Sequence, residues 1–451
     1  MKLDHIKSVY FLGIGGIGMS AIARYFKANG ASVSGYDKTP SDLTDELIQE
    51  GIEVGFSEQL NPKDLVADLY VFTPAIPKNH PAFAVIEAAG RTWYKRSQVL
   101  EWITAQKTTI AVSGTHGKTT TSAFLTHILN HCLGTISGFV GGVMTNYNSN
   151  LIAKDDSTHI VVEADEYDRS FLRLHPQTAI ITSLDPDHLD IYGTFEAMKE
   201  DYKTFASSAE KLVLHHSLTS VINHPNTLTY GLSDKARFRA KMIGVENGCF
   251  VFDAFDDQIK VGQFKSKLPG RHNVENALAA IVVAHYSGCK SSDIQDAVSS
   301  FKGVHRRFER VLERGNLVLI DDYAHHPKEI EAVINAAREL YPNRQLTVIF
   351  QPHLYSRTRD LLDDFVHSLN RADQVVLLPI YPAREEPITG VSSANLLNKL
   401  TLKTKLLVEK SDLVNAVLSL SPEIVLMLGA GDIDRLVKPM ANAFKSEVNV
   451  E

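Results

Sequence analysis

Twice along the chain a short apolar run ends in a glycine-rich turn and passes directly into a helix-length amphipathic stretch. The first case is Ser8 to Leu12, then Gly13-Ile14-Gly15-Gly16-Ile17-Gly18, then Ile17 to Asn29; the second is Thr108 to Val112 followed by Ser113 to Thr120. A strand that feeds a helix has to cross back over its own sheet, and repeated units of this kind build parallel sheets covered on both faces. The same alternation recurs at Ser32 to Tyr36, Leu69 to Thr73, Ile160 to Ala164, Ala179 to Leu184, Leu317 to Ile320, Leu346 to Phe350, Val375 to Pro379 and Ile424 to Leu428. The predicted class is α/β with mainly parallel sheets. Only near Cys249 to Phe264 does the pattern switch to period two, around Asp256 and Asp257, as in an antiparallel hairpin.

The chain has 451 residues, which at roughly 150 residues per domain asks for about three domains. The helix-like Ser97 to Ile103 ends in the polar patch Thr104 to Lys107, and a further block opens near Gly303 to His305, so the expected division is 1–106, 107–303 and 304–451. In the last block Lys328 to Glu339 and Thr358 to Leu369 read as helices. With 44% hydrophobic and 22% charged residues, neither a disordered nor a fibrous chain fits. Forty-six basic against fifty-three acidic residues leave a net charge of −7, which excludes a protein whose business is gripping a nucleic-acid polymer.

Cys132, Cys249 and Cys289 are odd in number and form no C-x-x-C pair, so a reducing, cytoplasmic setting is expected, without disulfides or zinc. Lys2, Lys7 and the run Val9 to Ala23 imitate a secretory leader, but four glycines in that run argue for a turn instead. No stretch approaches the roughly 20 apolar residues of a membrane span.

Gly13, Gly15, Gly16 and Gly18 lie between strand and helix, and Asp37 stands at the end of the next strand, about 20 residues on, as a dinucleotide fingerprint requires. Glycines let the backbone approach a pyrophosphate at the helix N-terminus, with Ile17 opening the helix, and Asp37 can accept from a ribose or uridine group. NAD, FAD and a UDP-sugar all satisfy this pattern.

The second loop, Gly114-Thr115-His116-Gly117-Lys118-Thr119-Thr120, sits where a P-loop belongs, although Val112 replaces the first glycine of the full pattern. Its amides would cradle ATP phosphates, Lys118 would neutralise the β and γ oxygens, and the Thr119 hydroxyl would reach Mg²⁺. Two such loops suit an enzyme that uses ATP to join a nucleotide-carried substrate to something else. A nicotinamide oxidoreductase leaves the second loop without work. Glu163 ends the apolar run before it and is the expected Mg²⁺ ligand; His188, after Asp185-Pro186-Asp187, is the expected second metal ligand. Asn273 and Asn276, three apart on one helical face, can match an adenine edge, or Asn273 can cap its own helix.

The combination of these loops with Glu163-Ala164-Asp165-Glu166, Asp187-His188-Leu189-Asp190 and Gly270-Arg271-His272-Asn273-Val274-Glu275-Asn276 resembles the Mur ligases of peptidoglycan synthesis over essentially the whole chain. Arg306-Arg307-Phe308, Asp321-Asp322-Tyr323-Ala324-His325-His326-Pro327 and Gln351-Pro352-His353 resemble the alanine-adding branch. The resemblance implies that a lactyl carboxylate of UDP-N-acetylmuramate attacks ATP and that L-alanine opens the acyl phosphate. It implies catalytic roles for Lys118, Glu163, His188 and Arg307, and metal ligation by Thr119, Glu163 and His188. It places ATP on Gly114 to Thr120, His272, Asn273, Asn276, Arg307 and Asp322, with closure of the third block completing the site.

The UDP-sugar would lie on Gly13 to Gly18 and Asp37, and alanine among Tyr323, His326, His353 and Arg357, the last able to grip a carboxylate with two donors. Leu354 departs from the basic residue usual there in that branch. Lys199 and Lys203, near the carbamylated lysine of some members, read as exposed helix lysines instead. Oligomeric state stays open. The nearest rival is the recycling ligase of the same superfamily, which attaches a preformed peptide to the same sugar.

Overall fold

The computed structural model describes residues 3, 5–58, 66–154, 156–187, 189–383 and 385–447. It contains three sheets. In the first, all five strands are parallel in the order Glu53–Gly55, Ser32–Tyr36, Ser8–Leu12, Leu69–Phe72, Trp93–Lys95. The direction of winding reverses between Ser8–Leu12 and Leu69–Phe72, and the first glycine turn leaves the sheet at that switch point, where doubly wound folds bind ligands.

The second sheet has ten strands, in the order Ile259–Ser266, Cys249–Asp256, Phe238–Glu246, Thr227–Gly231, Lys211–His215, Thr178–Ile181, Thr108–Ser113, His159–Glu163, Ile136–Met144, Ser149–Ile152. From Thr227–Gly231 to Ile136–Met144 every pair is parallel, and Ser149–Ile152 turns back antiparallel at the edge. The period-two segment forms the expected hairpin, its two strands separated by Asp257 and Gln258, with Asp257 at φ 52°. The third sheet has six strands, in the order Glu309–Arg314, Leu317–Asp322, Ile424–Leu428, Leu346–Phe350, Gln374–Leu377, Thr404–Leu407, parallel apart from the antiparallel first pair.

The chain divides into two compact units. Residues 1–242, 252–265 and 275–302 form one; residues 243–251, 266–274 and 303–451 form the other. In the first unit, Val9 and Phe11 pack in one apolar cluster with Ala111, Val162 and Ile181 of the second sheet, while Tyr10 and Leu12 point to the opposite face with Tyr36 and Tyr70. Asn150 ties the edge of the second sheet to the first glycine helix: its amide donates to Ile17 O at 2.6 Å and accepts from Arg24 at 2.5 Å. In the other unit Val318, Ile320, Val348 and Phe350 fill one face of the third sheet and Leu319, Ile349 and Val425 the other. Strands buried on both faces read as continuous apolar runs, which is why they stood out in the sequence.

Two elements depart most from the sequence expectation. The strand expected over Ala179 to Leu184 stops at Ile181; the Thr182 amide still donates to Ser113 O at 3.0 Å, and its hydroxyl turns onto Ser113 O and His116 O. The helix expected over Thr358 to Leu369 is two helices, Tyr355–Asp360 and Leu362–Leu369, broken where Leu361 leaves helical geometry at φ −114°.

Candidate active site

Strand Thr108–Ser113 lies between Thr178–Ile181 and His159–Glu163, so three parallel strands deliver their C-terminal ends side by side. Past Ser113 the chain turns through Gly114 (φ 138°) and Gly117 (φ 83°) into helix Lys118–Leu133. L side chains avoid both conformations. Space forbids them as well: a Cβ on Gly114 would collide with the Thr182 hydroxyl, and one on Gly117 would stand 2.5 Å from Asn276 Oδ1. Thr182 and Ser183 brace this loop. Thr182 Oγ1 donates to His116 O at 2.5 Å, and Ser183 Oγ accepts from His116 N at 2.8 Å.

Lys118 is folded back over the loop, its ammonium donating to Gly114 O at 2.6 Å and to Glu166 Oε1 at 2.8 Å. Burial pulls its pKa down, but the carboxylates of Glu166, Asp165 and Glu163 outweigh burial and hold the ammonium above its ordinary value. The ammonium charge is therefore kept at neutral pH. The Thr119 hydroxyl donates to Glu163 Oε1 at 3.1 Å, and the Gly141 amide donates to Glu163 Oε2 at 2.9 Å. Thr119 and Glu163 thus present hard oxygen donors beside the phosphate loop, a set that fits Mg²⁺ with water in its remaining positions. His188 lies outside the described residues. Asn276 is brought against the loop, where its Oδ1 accepts from Thr121 at 3.2 Å. Lys199 and Lys203 pair with Glu196 and Glu200, each at 2.7 Å; Lys203 lies at the helix surface, whereas the Lys199 side chain is only 23% exposed, its ammonium over the Phe195 ring.

At the first glycine turn, Gly13 (φ 87°) and Ile14 both donate to Tyr36 O, which folds the turn onto the neighbouring strand. Asp37 Oδ2 accepts from Gly15 N at 2.8 Å and Oδ1 from Thr39 N at 3.2 Å. Each carboxylate oxygen is therefore partly engaged in shaping the turn itself. Gly16 caps helix Ile17–Ala28, and Gly18 faces the Arg96 guanidinium.

In the unit built on the third sheet, Arg307 lies over the Tyr323 ring at 5.2 Å and Arg306 over the same ring at 5.0 Å. Tyr323 meets His325 edge-on, His325 meets His353, and His353 stacks on Tyr381 with centroids 5.7 Å apart. Arg357 approaches His353 Nδ1 at 3.4 Å. The structure so gathers Arg307, Tyr323, His353 and Arg357 and adds His325 and Tyr381, which sequence reasoning missed.

Asp322 accepts from Phe308 N and Ala324 N, each at 2.7 Å; burial pushes its pKa up to about 6, opposed by Arg307. His326 spends Nδ1 on Lys328 N at its helix start, Asn273 donates to Pro269 O at 2.7 Å, and the His272 ring lies against Gly270. Leu354 sits at φ 72°, a costly conformation for a branched side chain, directly after His353. Gln351, fully buried, holds Asp432 and Ile433 N, so the turn Gly429 to Asp432 is a packed one.

Three further residues of the loop's surroundings share one cause for carrying no sequence signal. Thr182, Ser183 and Gly141 act through strand register, which leaves no local motif. A glycine inside the strand Ile136–Met144 was the available signal, since glycine there marks close approach of another group.

Family models match in sequence along the chain: the Mur ligase family catalytic domain over residues 8–108, the Mur ligase middle domain over 112–284, and the Mur ligase glutamate ligase domain over 306–431. A UDP-N-acetylmuramate–L-alanine ligase of Flavobacterium psychrophilum is 47% identical over 444 residues, covering 97% of this chain and 98% of the relative. One of Porphyromonas gingivalis is 47% identical over 448 residues, covering 96% and 98%. Among solved structures, the UDP-N-acetylmuramate–alanine ligase of Thermotoga maritima superposes with a TM-score of 0.84 at 29% identity, over 98% of this chain and 100% of that one. A murein peptide ligase of Psychrobacter arcticus shares the fold at a TM-score of 0.69 and 22% identity. With three family models matched in order from residue 8 to residue 431 and relatives alike over nearly the full length, the chain belongs to the Mur ligase family.

Proposed function

We propose that this chain is an ATP-dependent ligase that joins L-alanine to the lactyl carboxylate of UDP-N-acetylmuramate. The observation that carries the reading is the convergence of Lys118, Thr119 and Glu163 on one phosphate loop, in a unit that also carries a pyrophosphate-type glycine turn. Full-length likeness to alanine-adding relatives supports the choice of substrates.

A carboxylate is a poor electrophile, so its oxygen first attacks the γ-phosphorus of ATP, giving an acyl phosphate and ADP. The alanine amine then attacks the acyl carbon, phosphate leaves, and the amine proton passes to a base or to water. Two anions meet in the first step, and positive charge held ready is the central requirement. Lys118 supplies it on the β and γ oxygens, and the amides of Gly114 to Thr120 hold the phosphates in place. Mg²⁺, held by Thr119 and Glu163 and, by family likeness, His188, would neutralise further phosphate charge. Arg307 and Asp322, with His272, Asn273 and Asn276, are proposed for the nucleotide. Tyr323, His326, His353 and Arg357 are proposed for alanine, with Gly13, Gly15, Gly16, Ile17, Gly18 and Asp37 for the UDP-sugar. On this reading the blocks 1–106, 107–303 and 304–451 serve sugar nucleotide, ATP and amino acid in turn.

The setting proposed is the cytoplasm; among the described residues no helix is long and apolar enough to cross a membrane. Phosphate release with UDP-N-acetylmuramate and either L-alanine or the L-alanyl tripeptide of the recycling reaction tests the assignment. Preference for L-alanine is expected, and preference for the tripeptide overturns it in favour of the recycling ligase.

A further inference from the structure

Among the cations between the elements of the first and second sheets is Arg96, which no motif marks. Arg96 opens helix Arg96–Thr104, directly after the last strand of the first sheet. Its side chain lies along Gly18, in the first turn of the glycine helix, so closely that a Cβ there would stand 2.5 Å from Nη1. The missing side chain at Gly18 is what leaves room for the guanidinium. On the other side, Nη2 is 3.8 Å from Asp165 Oδ2, an ionic neighbour beyond hydrogen-bond distance. Among the described residues the Arg96 guanidinium makes no hydrogen bond, although the side chain is only 22% exposed. It lines a shallow cleft with Ser97, Glu163, Asp165 and Ser170.

A guanidinium carries five donors in a rigid fork suited to phosphate oxygens. Holding one half-buried with a single loose ionic contact makes sense where an anion arrives from outside the chain. The Gly13 to Gly18 turn offers backbone amides to a pyrophosphate, and Arg96 flanks that turn from the side facing Glu163. We propose that Arg96 is a binding residue for the pyrophosphate of the nucleotide sugar, donating to its oxygens and setting the sugar end toward the acid edge of the second sheet. Asp165 is the resting partner that this anion replaces. The inference rests on the reading of the glycine turn as the UDP-sugar site.

The test is UDP binding by calorimetry in the full chain with ADP saturating, which keeps UDP off the second loop. Arg96→Ala should weaken UDP at least about tenfold, the loss expected for removed charge-assisted bonds. Arg96→Lys should lose less, keeping the charge without the fork, and ADP affinity should not change in either variant. Asp165→Asn should bind UDP as tightly as the parent or more tightly. Unchanged UDP affinity in Arg96→Ala overturns the proposal while leaving the glycine-turn reading intact. Equal loss in Asp165→Asn and Arg96→Ala also overturns it, because the ion pair alone would then explain both. Failure of the parent protein to bind UDP removes the glycine-turn reading and this inference together.

Discussion

The Gly141 amide donates to Glu163 at 2.9 Å, and the Glu163 carboxylate fills the space that a side chain at 141 would need. A backbone amide and the Thr119 hydroxyl together hold that carboxylate at the phosphate loop. Gly141→Ala should push it aside. Displacement of a reacting group by about 1 Å costs on the order of 10²-fold in rate, so kcat should fall by that order while ADP binding without Mg²⁺ stays at the parent value. Full turnover in this variant would show that Glu163 does not need to be held there.

Lys118→Ala should abolish turnover and leave UDP-sugar binding nearly intact, because the two loops sit on different sheets. It should also destabilise the fold. Glu166 is 1% exposed and would lose its ionic partner, a change that costs about 3–5 kcal/mol for a buried pair. Adding Glu166→Gln should recover part of that loss in urea unfolding, since a neutral amide is far less costly to bury. No recovery in the double variant would mean that Glu166 is stabilised by something other than Lys118.

Asp321 gives a pH signature in the other unit. Burial pushes its pKa up to about 7, opposed by Arg306 and reinforced by Asp322. The folded carboxyl keeps its proton up to about that pH, whereas the unfolded one releases it near the ordinary carboxylate value. Between these limits the folded state binds more protons, so raising pH favours unfolding. Thermal unfolding of Asp321→Asn should gain on the parent as pH rises from about 4 to about 8. A difference that is constant across this range would remove the buried carboxyl as its source.

His127 titrates with the opposite sign. It lies between Tyr147 Oη at 2.7 Å and Ser300 Oγ at 3.1 Å, and burial lowers its pKa to about 4, with His131 adding to the effect. The unfolded imidazole takes up a proton near its ordinary value while the folded one stays neutral, so this contribution to stability is lost as pH falls from about 6.5 to about 4. His127→Gln should flatten that part of the stability profile in the first unit. A parent-like acid slope would place the titration elsewhere.

Much of this is legible in the sequence, and the reason is local. The two glycine turns, the apolar runs of strands buried on both faces, and the lysine and threonine after Gly117 each announce themselves within a few residues. Even Glu163 is visible as an acid closing an apolar strand. Gly141, Thr182, Ser183 and Arg96 are different: each matters because parallel register or a neighbouring sheet brings it to a loop elsewhere in the chain, and no short spacing encodes that. Asp37 shows the reverse limit, since its position suggested a ligand contact and both its oxygens also accept from the turn's own backbone. His325 and Tyr381 were passed over because aromatic stacking pairs residues that are near in space and scattered in sequence.

In the proposed reaction the carboxylate is activated by ATP before the amine arrives. UDP-N-acetylmuramate labelled with ¹⁸O in both lactyl carboxylate oxygens, turned over with ATP and L-alanine, tests it through the mass of the released phosphate. The acyl-phosphate route predicts one ¹⁸O per phosphate and one retained in the new amide. Unlabelled phosphate beside an amide product that keeps one ¹⁸O, the other having gone to water, would contradict it.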